Sequence, residues 1–279
     1  MMADYTEKLI QMALEEDIGS GDITTDPIVA PECSGTGQIV AKETLVIAGL
    51  DIGRRVFASL DPDIRCETAY ADGDTVEKGS IAVRLEGKLQ ALLKGERTAL
   101  NFLQRLSGIA THVRSFVSLL GDRPVRLVDT RKTAPGWRVL EKYAVRVGGG
   151  ANHRMGLYDG VLIKDNHIAA ARGIAQAVEK VRKNISHLMK IEVEVTNMEE
   201  VAEAVAAGAD VIMLDNMDIP RIRAAVAFIA GRALVEVSGN VSKETLVSLA
   251  DTGVDLISCG ALTHSARSVD LSMRIKTLN

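Results

Sequence analysis

The sequence predicts an α/β protein built around a parallel sheet in its C-terminal half. Two observations support this fold class. Beyond Pro124, six short and almost continuous apolar runs follow one another, as expected for strands that are covered on both faces. Segments with a helical spacing of apolar residues lie between several of these runs, and strands alternating with helices form parallel βαβ units.

The N-terminal part has a different pattern. A helical stripe of apolar residues within Thr6 to Ile18 predicts a short helix, which Gly19-Ser20-Gly21 ends. From Asp22 to Leu85, three β-type runs are separated by glycine and proline: Thr36–Ala41, Leu45–Ala48 and Ile81–Leu85. These residues, taken alone, indicate a small mixed β domain.

From Leu89 the apolar spacing becomes helical again. A break at Ser107-Gly108 predicts two helices in series that link the two halves of the chain. The six strand-like runs that follow are Val125–Val128, Val161–Ile163, Ile191–Val195, Val211–Leu214, Leu234–Val237 and Leu256–Ser258. Helical stripes begin at Ile174, Ile219 and Leu246 in the intervening segments.

Composition excludes several classes of protein. With 279 residues, 47% hydrophobic, the chain can bury a large core. Three widely spaced cysteines without a CxxC pair indicate neither a disulfide framework nor a structural zinc site, and they favour a reducing cytoplasm. The N-terminus has no apolar signal region, and no stretch approaches a membrane span, so we expect an untargeted protein without a membrane partner. An aromatic content of 3% offers no stacking platform for single-stranded nucleic acid.

Positive charge is concentrated in one stretch. Between Arg123 and Arg172 ten Lys/Arg stand against four Asp/Glu, a local net charge of +6, whereas the whole chain carries −4. A basic site in an acidic protein favours a small polyanionic ligand. Nucleic acid is less favoured, because its partners usually have a basic surface overall.

The ligand site is expected where the strands end, because parallel α/β folds bind ligands at the carboxyl ends of their strands. Polar or glycine-rich groups follow all six runs: Asp129–Lys132, Lys164–His167, Glu194, Asp215-Asn216, Ser238–Asn240 and Cys259–Ala261. Packing alone would not require such groups at every exit. The sequence therefore predicts a ring of mostly charged side chains around one site.

Each exit also has a plainer interpretation. The last two exits are glycine-containing turns that suit a phosphate, and ordinary tight turns are the alternative. Glu194 and Asp215 could hold Mg²⁺ bound to a diphosphate or stabilise a cationic transition state, or could balance neighbouring charge.

For each of the remaining candidate site residues, a role in ligand binding and a structural role are both possible interpretations. Arg131, Lys132 and Arg154 suit carboxylate and phosphate recognition, although any one alone could be a solvated surface charge. His153 and His167 could be acid/base groups, with a structural role favoured for either alone. Gly148-Gly-Gly150 could approach a ligand or form a flexible turn, and Trp137 and Tyr143 are expected to pack rather than stack on a ligand.

One long block carries a specific resemblance. The segment DTRKTAPGWRVLEKYAVRVGGGANHRMGLYDGVLIKDNHI, residues 129–168, resembles the signature of the quinolinate phosphoribosyltransferase family, the carboxylating nicotinate-nucleotide diphosphorylases. Further matching motifs lie along most of the chain and include Glu96-Arg-Thr-Ala-Leu-Asn101, Glu192-Val-Glu194, Leu214-Asp-Asn216, Glu236-Val-Ser-Gly-Asn240 and Gly260-Ala-Leu-Thr-His264. Cys259 and Trp137 depart from the family pattern, and neither is a charged position.

The resemblance implies a fold and a reaction. The fold would be an N-terminal mixed α/β sandwich over residues 1–108, then an incomplete, about six-stranded α/β barrel over residues 109–279 with a C-terminal helix that packs back on the first domain. The reaction would convert quinolinate and phosphoribosyl diphosphate, with Mg²⁺, into nicotinate mononucleotide, diphosphate and CO₂ in NAD biosynthesis. A related phosphoribosyltransferase family associated with molybdenum transport shares the fold and stays as the alternative.

The resemblance also assigns site residues. Thr130, Arg131, Lys132, His153 and Arg154 would line the quinolinate pocket, and Lys164, Glu194 and Asp215 would meet the phosphoribosyl diphosphate and its metal, with Lys132, Lys164, Glu194 and Asp215 as the catalytic set. Ser238, Gly239, Asn240, Cys259, Gly260 and Ala261 would cradle the 5-phosphate. Arg97 would reach the pocket of a neighbouring subunit in a homodimer, which could assemble further into a hexamer. No direct metal ligand is assigned.

Two unrelated functions are compatible with parts of the sequence. Lys164, placed directly after a strand, could form an imine in a Schiff-base aldolase, although so many anion-binding groups fit carbonyl chemistry poorly. A non-catalytic phosphate-binding or nucleic-acid-binding protein could also use the basic block, and its binding would be sensitive to salt.

Overall fold

The structure is a computed structural model that describes residues 2–278. The elements before the parallel sheet are α1 (Met2–Ile18), α2 (Thr25–Ile28), β1 (Ser34–Ala41), β2 (Leu45–Val46), α3 (Leu50–Leu60), β3 (Arg65–Glu67), β4 (Thr75–Val76), β5 (Ile81–Lys88) and α4 (Leu89–Leu120). The remaining elements are β6 (Arg126–Val128), α5 (Arg138–Val147), β7 (Val161–Ile163), α6 (Asp165–Ala171), α7 (Ile174–Arg182), β8 (Ile191–Val195), α8 (Met198–Ala206), β9 (Val211–Asp215), α9 (Ile219–Ile229), β10 (Leu234–Ser238), α10 (Lys243–Ala250), β11 (Leu256–Ser258), α11 (Ala261–His264) and β12 (Leu271–Thr277).

The chain forms two compact units. The first contains residues 1–114, 134–149 and 266–279, and the second contains residues 115–133 and 150–265. The boundary expected between residues 108 and 109 falls inside α4, which is one continuous helix of 32 residues. Within residues 2–278 no helix has both the length and the hydropathy that a bilayer span requires.

The first unit is built on an antiparallel sheet. Its four strands have the order β12-β1-β5-β3, and β2 pairs separately with β4. Helix α3 has a buried face formed by Ile52, Val56 and Phe57, so this region is mixed α/β and not the β domain that the residue pattern alone indicated. The mixed α/β sandwich implied by the family resemblance therefore describes this unit better.

The C-terminal residues form a strand, and the expectation of a C-terminal helix was wrong. Strand β12 pairs antiparallel with β1 along seven residue pairs, from Gly35 opposite Thr277 to Ala41 opposite Leu271. Half-buried Met273 and Ile275 alternate with exposed Arg274 and Lys276, which suits an edge strand with one face against the core. The strand completes the sheet of the first unit.

Gly108 does not end a helix, contrary to the predicted break between two helices. A Cβ atom at this position would lie 2.1 Å from the carbonyl oxygen of Arg267 and 3.0 Å from the Cα of Ser268. The glycine therefore lets the backbone of the C-terminal segment approach α4 closely. Since the helix hydrogen-bond pattern continues through Gly108, the cost of a helical glycine is offset by this contact.

The second unit contains all six predicted strands of the parallel sheet. Their order is β6-β11-β10-β9-β8-β7, with each neighbouring pair parallel. Helices α7, α9 and α10 coincide with the three predicted helical stripes. Side-chain caps start two helices, because Asn197 accepts a hydrogen bond from the Glu200 amide and Asp218 accepts one from the Arg221 amide.

The sheet forms an incomplete barrel. Strands β6 and β7 stand at its two edges and share no ladder among the described residues, yet the residues after both edges line the same cavity. Val128, Val211 and Leu256 form an apolar cluster inside the sheet, and the half-buried Leu234 and Ala151 pack against it. The incomplete α/β barrel expected from the sequence is confirmed.

Candidate active site

A cavity of about 730 Å³ opens at the carboxyl ends of the six parallel strands. The described residues that line it all belong to the second unit. Fourteen of the residues expected from the sequence are among them: Thr130, Arg131, Lys132, His153, Arg154, Lys164, Glu194, Asp215, Ser238, Gly239, Asn240, Cys259, Gly260 and Ala261. Arg97, the fifteenth, lies exposed on α4 in the first unit.

The positive charge of the cavity comes from four side chains, Arg131, Lys132, Arg154 and Lys164. The Arg154 guanidinium donates to the Gly160 carbonyl at 3.1 Å. Burial lowers the pKa of Arg154, and the neighbouring Arg131 charge lowers it further. Two guanidinium groups that repel each other in this way favour the entry of an anion between them.

The local charge of +6 overstated the charge of the site. Three of the ten basic residues counted, Arg138, Lys142 and Arg146, lie on α5 in the first unit. Lys142 is fully buried there. The count was too high because α5 follows the first strand exit in sequence but belongs to the other unit.

A buried aspartate positions the segment that carries His153 and Arg154. Asp129, directly after β6, is fully buried and accepts hydrogen bonds from the side-chain amide of Asn152 at 2.6 Å and from the backbone N–H of His153 at 2.9 Å. Ala151 pairs with Val128 in a parallel bridge. Asn152 and His153, which lie 23 and 24 positions after Asp129 in the sequence, are thereby fixed at one edge of the cavity.

The hydrogen bonds of His153 define its tautomer. The backbone N–H of Arg154 donates to its Nδ1 at 2.8 Å, so this nitrogen carries no proton. Its Nε2 lies 2.9 Å from a carboxylate oxygen of Glu192 and must be the protonated nitrogen that donates. His153 is therefore a neutral imidazole whose two nitrogens are both engaged by the protein.

Lys164 and Glu194 face each other across the exits of β7 and β8. The Lys164 ammonium donates a short hydrogen bond to the Glu194 carboxylate, and both side chains line the cavity. At the next exit, the Asp215 carboxylate accepts from the Asn216 side-chain amide at 2.8 Å. The two acidic side chains expected here therefore stand at adjacent strand ends with oxygens inside the cavity.

The loop after β10 requires glycine. Gly239 has a φ of +93°, and a Cβ there would lie 2.1 Å from the side-chain oxygen of Asn216. Asn216 and Asn240 also have positive φ values, 53° and 48°, and the Asn240 amide donates to the Asn216 side chain at 3.2 Å. The loops after β9 and β10 are thus held in one fixed conformation in which backbone faces the cavity.

The loop after β11 packs against Lys132. A Cβ at Gly260 would lie 2.8 Å from the Cδ of Lys132, and the Thr263 hydroxyl donates to the Lys132 carbonyl at 2.8 Å. The Cys259 thiol is buried and donates to the Val241 carbonyl, so Cys259 can offer only its backbone to a ligand. Burial raises the pKa of this thiol, which opposes a reactive role.

A deeper layer of side chains lies beneath the strand exits. Leu162, Met213 and Glu236 each precede an exit residue by two positions, so they face the cavity one level further inside. Glu192 precedes Glu194 in the same way and is buried beside Glu236. The sequence motifs gave no role to these two glutamates, although the alternation along β8 and β10 could have indicated their inward direction.

Other candidates have structural roles. The Nδ1 of His167 accepts a hydrogen bond from the backbone N–H of Lys164 at 3.0 Å and caps α6, which supports a structural role for this histidine. Trp137 stacks on Phe102 with a centroid separation of 4.8 Å, and Tyr143 donates to Asp72 at 2.5 Å. Gly148 lets α5 approach α4, where an added Cβ would lie 2.7 Å from the Ala110 carbonyl.

Two family models together match most of the chain. The one described as "Quinolinate phosphoribosyl transferase, N-terminal domain" matches residues 22–107, and the one described as "Quinolinate phosphoribosyl transferase, C-terminal domain" matches residues 109–274. The second alone spans more than half of the chain.

Curated relatives and solved structures agree with these matches. A probable nicotinate-nucleotide pyrophosphorylase (carboxylating) of Bacillus subtilis is 46% identical over 273 residues, which cover 98% of this chain and 94% of that protein. A quinolinate phosphoribosyltransferase (decarboxylating) of Nicotiana tabacum is 40% identical and covers 96% of this chain and 82% of its own length. The crystal structure of NadC from Streptococcus pyogenes superposes with a TM-score of 0.94 at 41% identity, over 98% of this chain and 97% of that one.

Proposed function

Because the chain belongs to the quinolinate phosphoribosyltransferase family, we propose that it transfers phosphoribosyl from 5-phosphoribosyl 1-diphosphate to quinolinate with loss of CO₂. The products are nicotinate mononucleotide and diphosphate, an intermediate and a by-product of NAD biosynthesis. The observation that carries the proposal is one cavity in which four cationic side chains stand beside two glycine-containing loops. The family associated with molybdenum transport is not favoured, since one of these relatives is named as a nicotinate-nucleotide pyrophosphorylase and the other as a quinolinate phosphoribosyltransferase.

Quinolinate is a dianion, and the cationic side chains suit its two carboxylates. We assign this part of the cavity to Arg131, Lys132 and Arg154, with Thr130 and His153 beside them. Guanidinium groups bind carboxylates in a bidentate manner, and the repulsion between Arg131 and Arg154 is relieved when an anion enters. His153, a neutral donor already bound to Glu192, keeps the segment in place and adds no charge.

The phosphoribosyl diphosphate belongs on the other side of the cavity. The loops Ser238–Asn240 and Cys259–Ala261 offer backbone groups to the 5-phosphate, and Lys164 faces the diphosphate. When diphosphate leaves, positive charge develops on the ribose, and the carboxylates of Glu194 and Asp215 stabilise it.

Mg²⁺ fits this part of the cavity as a group carried on the diphosphate. The side chains at the exits of β8 and β9 have the right chemistry for it, because Mg²⁺ prefers oxygen ligands and these exits present two carboxylates and the Asn216 amide. No side chain is assigned as a direct ligand. The metal, when bound, would neutralise the leaving diphosphate, while the protein side chains position the sugar and the acid.

The chemistry orders the steps. The ring nitrogen of quinolinate attacks carbon 1 of the ribose while the bond to diphosphate breaks. The positive charge of a quaternised ring nitrogen can then stabilise the electron pair that the departing CO₂ leaves on carbon 2, so decarboxylation follows ribosylation. No side chain needs to act as a covalent nucleophile.

The functional unit in this proposal is a homodimer, which could assemble into a hexamer. Arg97 is exposed on α4 and falls within the Glu96–Asn101 motif, and we place it at the quinolinate pocket of the neighbouring subunit. The cytoplasmic location expected from the cysteine pattern belongs to the same proposal.

A comparison of quinolinate with nicotinate tests the proposed substrate. Nicotinate has one carboxylate, so it leaves part of the cationic cluster of Arg131, Lys132 and Arg154 unpaired, and an unpaired buried charge is costly. We expect kcat/KM for nicotinate to be lower by at least about 10²-fold, measured as nicotinate mononucleotide formed in the presence of Mg²⁺ and phosphoribosyl diphosphate. Equal kcat/KM values for the two acids would reject the assignment of quinolinate.

A further inference from the structure

The interior of the barrel holds a pair of buried carboxyl groups that the proposed function does not use. Glu192 on β8 and Glu236 on β10 are both buried, and one oxygen of each, Oε1, has no hydrogen-bond partner within the described chain. The His153 Nε2 lies 2.9 Å from Glu192 and 3.8 Å from Glu236. Buried carboxyl oxygens without a hydrogen-bond partner are rare because their desolvation is costly.

The three groups do not resemble a metal centre. Ligands on one tetrahedral zinc ion at bond lengths of about 2.0 to 2.2 Å are about 3.3 Å apart, so the 2.9 Å separation between His153 and Glu192 is that of a hydrogen bond. The His153 Nε2–H donates to Glu192 and stabilises negative charge there, whereas Glu236 lies 3.8 Å from the same nitrogen, beyond hydrogen-bond distance. A second negative charge on Glu236 beside it would be unfavourable in the barrel interior.

Glu236 is therefore the group that keeps a proton. Burial raises the pKa of Glu236 to about 7, and the neighbouring Glu192 charge adds to the rise. The groups that act on it are Glu192 from β8, Ser258 from β11 and His153 from the segment before β7. Met213 on β9 and Leu256 on β11 are its neighbours in the sheet, and the cations Lys132, Arg154 and Lys164 line the same cavity.

The position of Glu236 suits the later half of the reaction. It lines the cavity at the level below the charged strand exits, together with the apolar side chains of Leu162 and Met213. Loss of CO₂ converts a carboxylate into a neutral, apolar molecule. The level of the cavity that contains Leu162 and Met213 has few charged side chains, which favours that change. The proton that replaces CO₂ must come from a donor at the same level.

We propose that Glu236 is the acid that protonates ring carbon 2 after CO₂ has left, and that Glu192 and His153 are positioning residues that hold its proton in place. The bond between carbon 2 and the carboxylate breaks, and its electron pair stays on carbon 2. The O–H bond of Glu236 then breaks, its proton bonds to carbon 2, and its electron pair stays on Glu236. Water returns the proton before the next turnover.

The first test separates the two halves of the reaction in a single turnover of the full-length enzyme. We expect Glu236→Gln to release diphosphate at a rate near that of wild type, because ribosylation needs no acid at this position. Formation of nicotinate mononucleotide should slow by about 10²- to 10⁴-fold, the usual contribution of a general acid. Glu179→Gln on α7, where the exposed Glu179 pairs with Lys183, serves as the matched control.

The second test uses pH and also covers the case in which Glu236→Gln does not fold. Because the acid form of Glu236 is required, the rate of nicotinate mononucleotide formation in wild type should fall as the pH rises through about 7. Glu192→Gln removes the adjacent negative charge and lowers the pKa of Glu236, so the fall should begin at a lower pH. A folded Glu236→Gln variant should not show this fall.

The inference rests on the proposed function, and the outcomes distinguish the two. If wild type forms no nicotinate mononucleotide, the proposed function is wrong. If wild type is active, equal slowing of diphosphate release and product formation in Glu236→Gln would overturn the role of Glu236 as an acid, as would a wild-type rate of product formation. An unchanged pH profile in Glu192→Gln would overturn the positioning role of Glu192.

Discussion

Alanine at Glu194 or Asp215 is expected to lower kcat by about 10²- to 10³-fold, the usual loss when one electrostatic contact to a transition state is removed. Both carboxylates line the cavity at adjacent strand exits, where the ribose acquires positive charge as diphosphate leaves. Because this charge is absent from the bound substrates, the loss should appear in kcat more than in the KM of quinolinate. Steady-state kinetics at saturating Mg²⁺ measures both constants.

The control for these variants is Glu199→Ala. Glu199 is an exposed carboxylate in the first turn of α8, close in sequence to Glu194 but not among the residues that line the cavity. This control should keep wild-type kinetics. If Glu194→Ala or Asp215→Ala folds normally and retains the wild-type kcat, its carboxylate serves only to balance the charge of neighbours such as Lys164.

Arg97→Ala is expected to inactivate the enzyme through the site of the neighbouring subunit. Loss of one charged partner of a buried carboxylate typically costs about 2 to 5 kcal/mol, which is about 30-fold to about 4,000-fold in affinity for quinolinate. Lys132→Ala should inactivate the subunit that carries it, because Lys132 lines the cavity of its own chain. Isothermal titration with quinolinate measures the first effect directly.

Mixing the two inactive proteins tests whether the site is shared. In a mixed dimer one site would carry both lesions and the other neither, so half of its sites would be intact. After full random exchange of equal amounts, half of the dimers are mixed, and activity should recover to about a quarter of that of wild type. Subunit exchange is verified separately with labelled chains. Exchange without recovered activity would mean that Arg97 serves its own chain or has no role in the site.

The parallel sheet could be predicted because its determinants are local. Each of the six strands is a short apolar run, and the stripes that begin at Ile174, Ile219 and Leu246 form helices in the structure. The exits of these strands follow directly from the strand assignment. Twelve of the fifteen expected site residues follow these exits and could be placed around one cavity from the order of elements, whereas His153 and Arg154, which line the same cavity, were assigned to it through the family resemblance.

The remaining features depend on partners that are distant in the sequence. Strand β12 forms because β1, more than 220 residues away, offers a free sheet edge, and the short run Leu271–Thr277 does not identify that partner. Gly108 resembles a helix end unless its contact with Arg267 is known. The pairing of Glu192 with Glu236 requires β8 and β10, which are separated in the sheet by β9.

Charge counting failed for a related reason. A window along the sequence cannot separate residues that flank a strand exit from those on α5, which belongs to the other unit. The strand exits predicted the site residues better than the charge count did, because the residues directly after parallel strands lie at one edge of the sheet.

The product stoichiometry from doubly labelled quinolinate tests the central claim most directly. Purified protein is mixed with Mg²⁺, phosphoribosyl diphosphate and quinolinate labelled in the 2-carboxylate and in the ring, and the products are separated by chromatography. The account predicts equal amounts of nicotinate mononucleotide, diphosphate and labelled CO₂, with formation of all three abolished when phosphoribosyl diphosphate is omitted. A nucleotide that retains the 2-carboxylate label, or release of CO₂ without phosphoribosyl diphosphate, would contradict it.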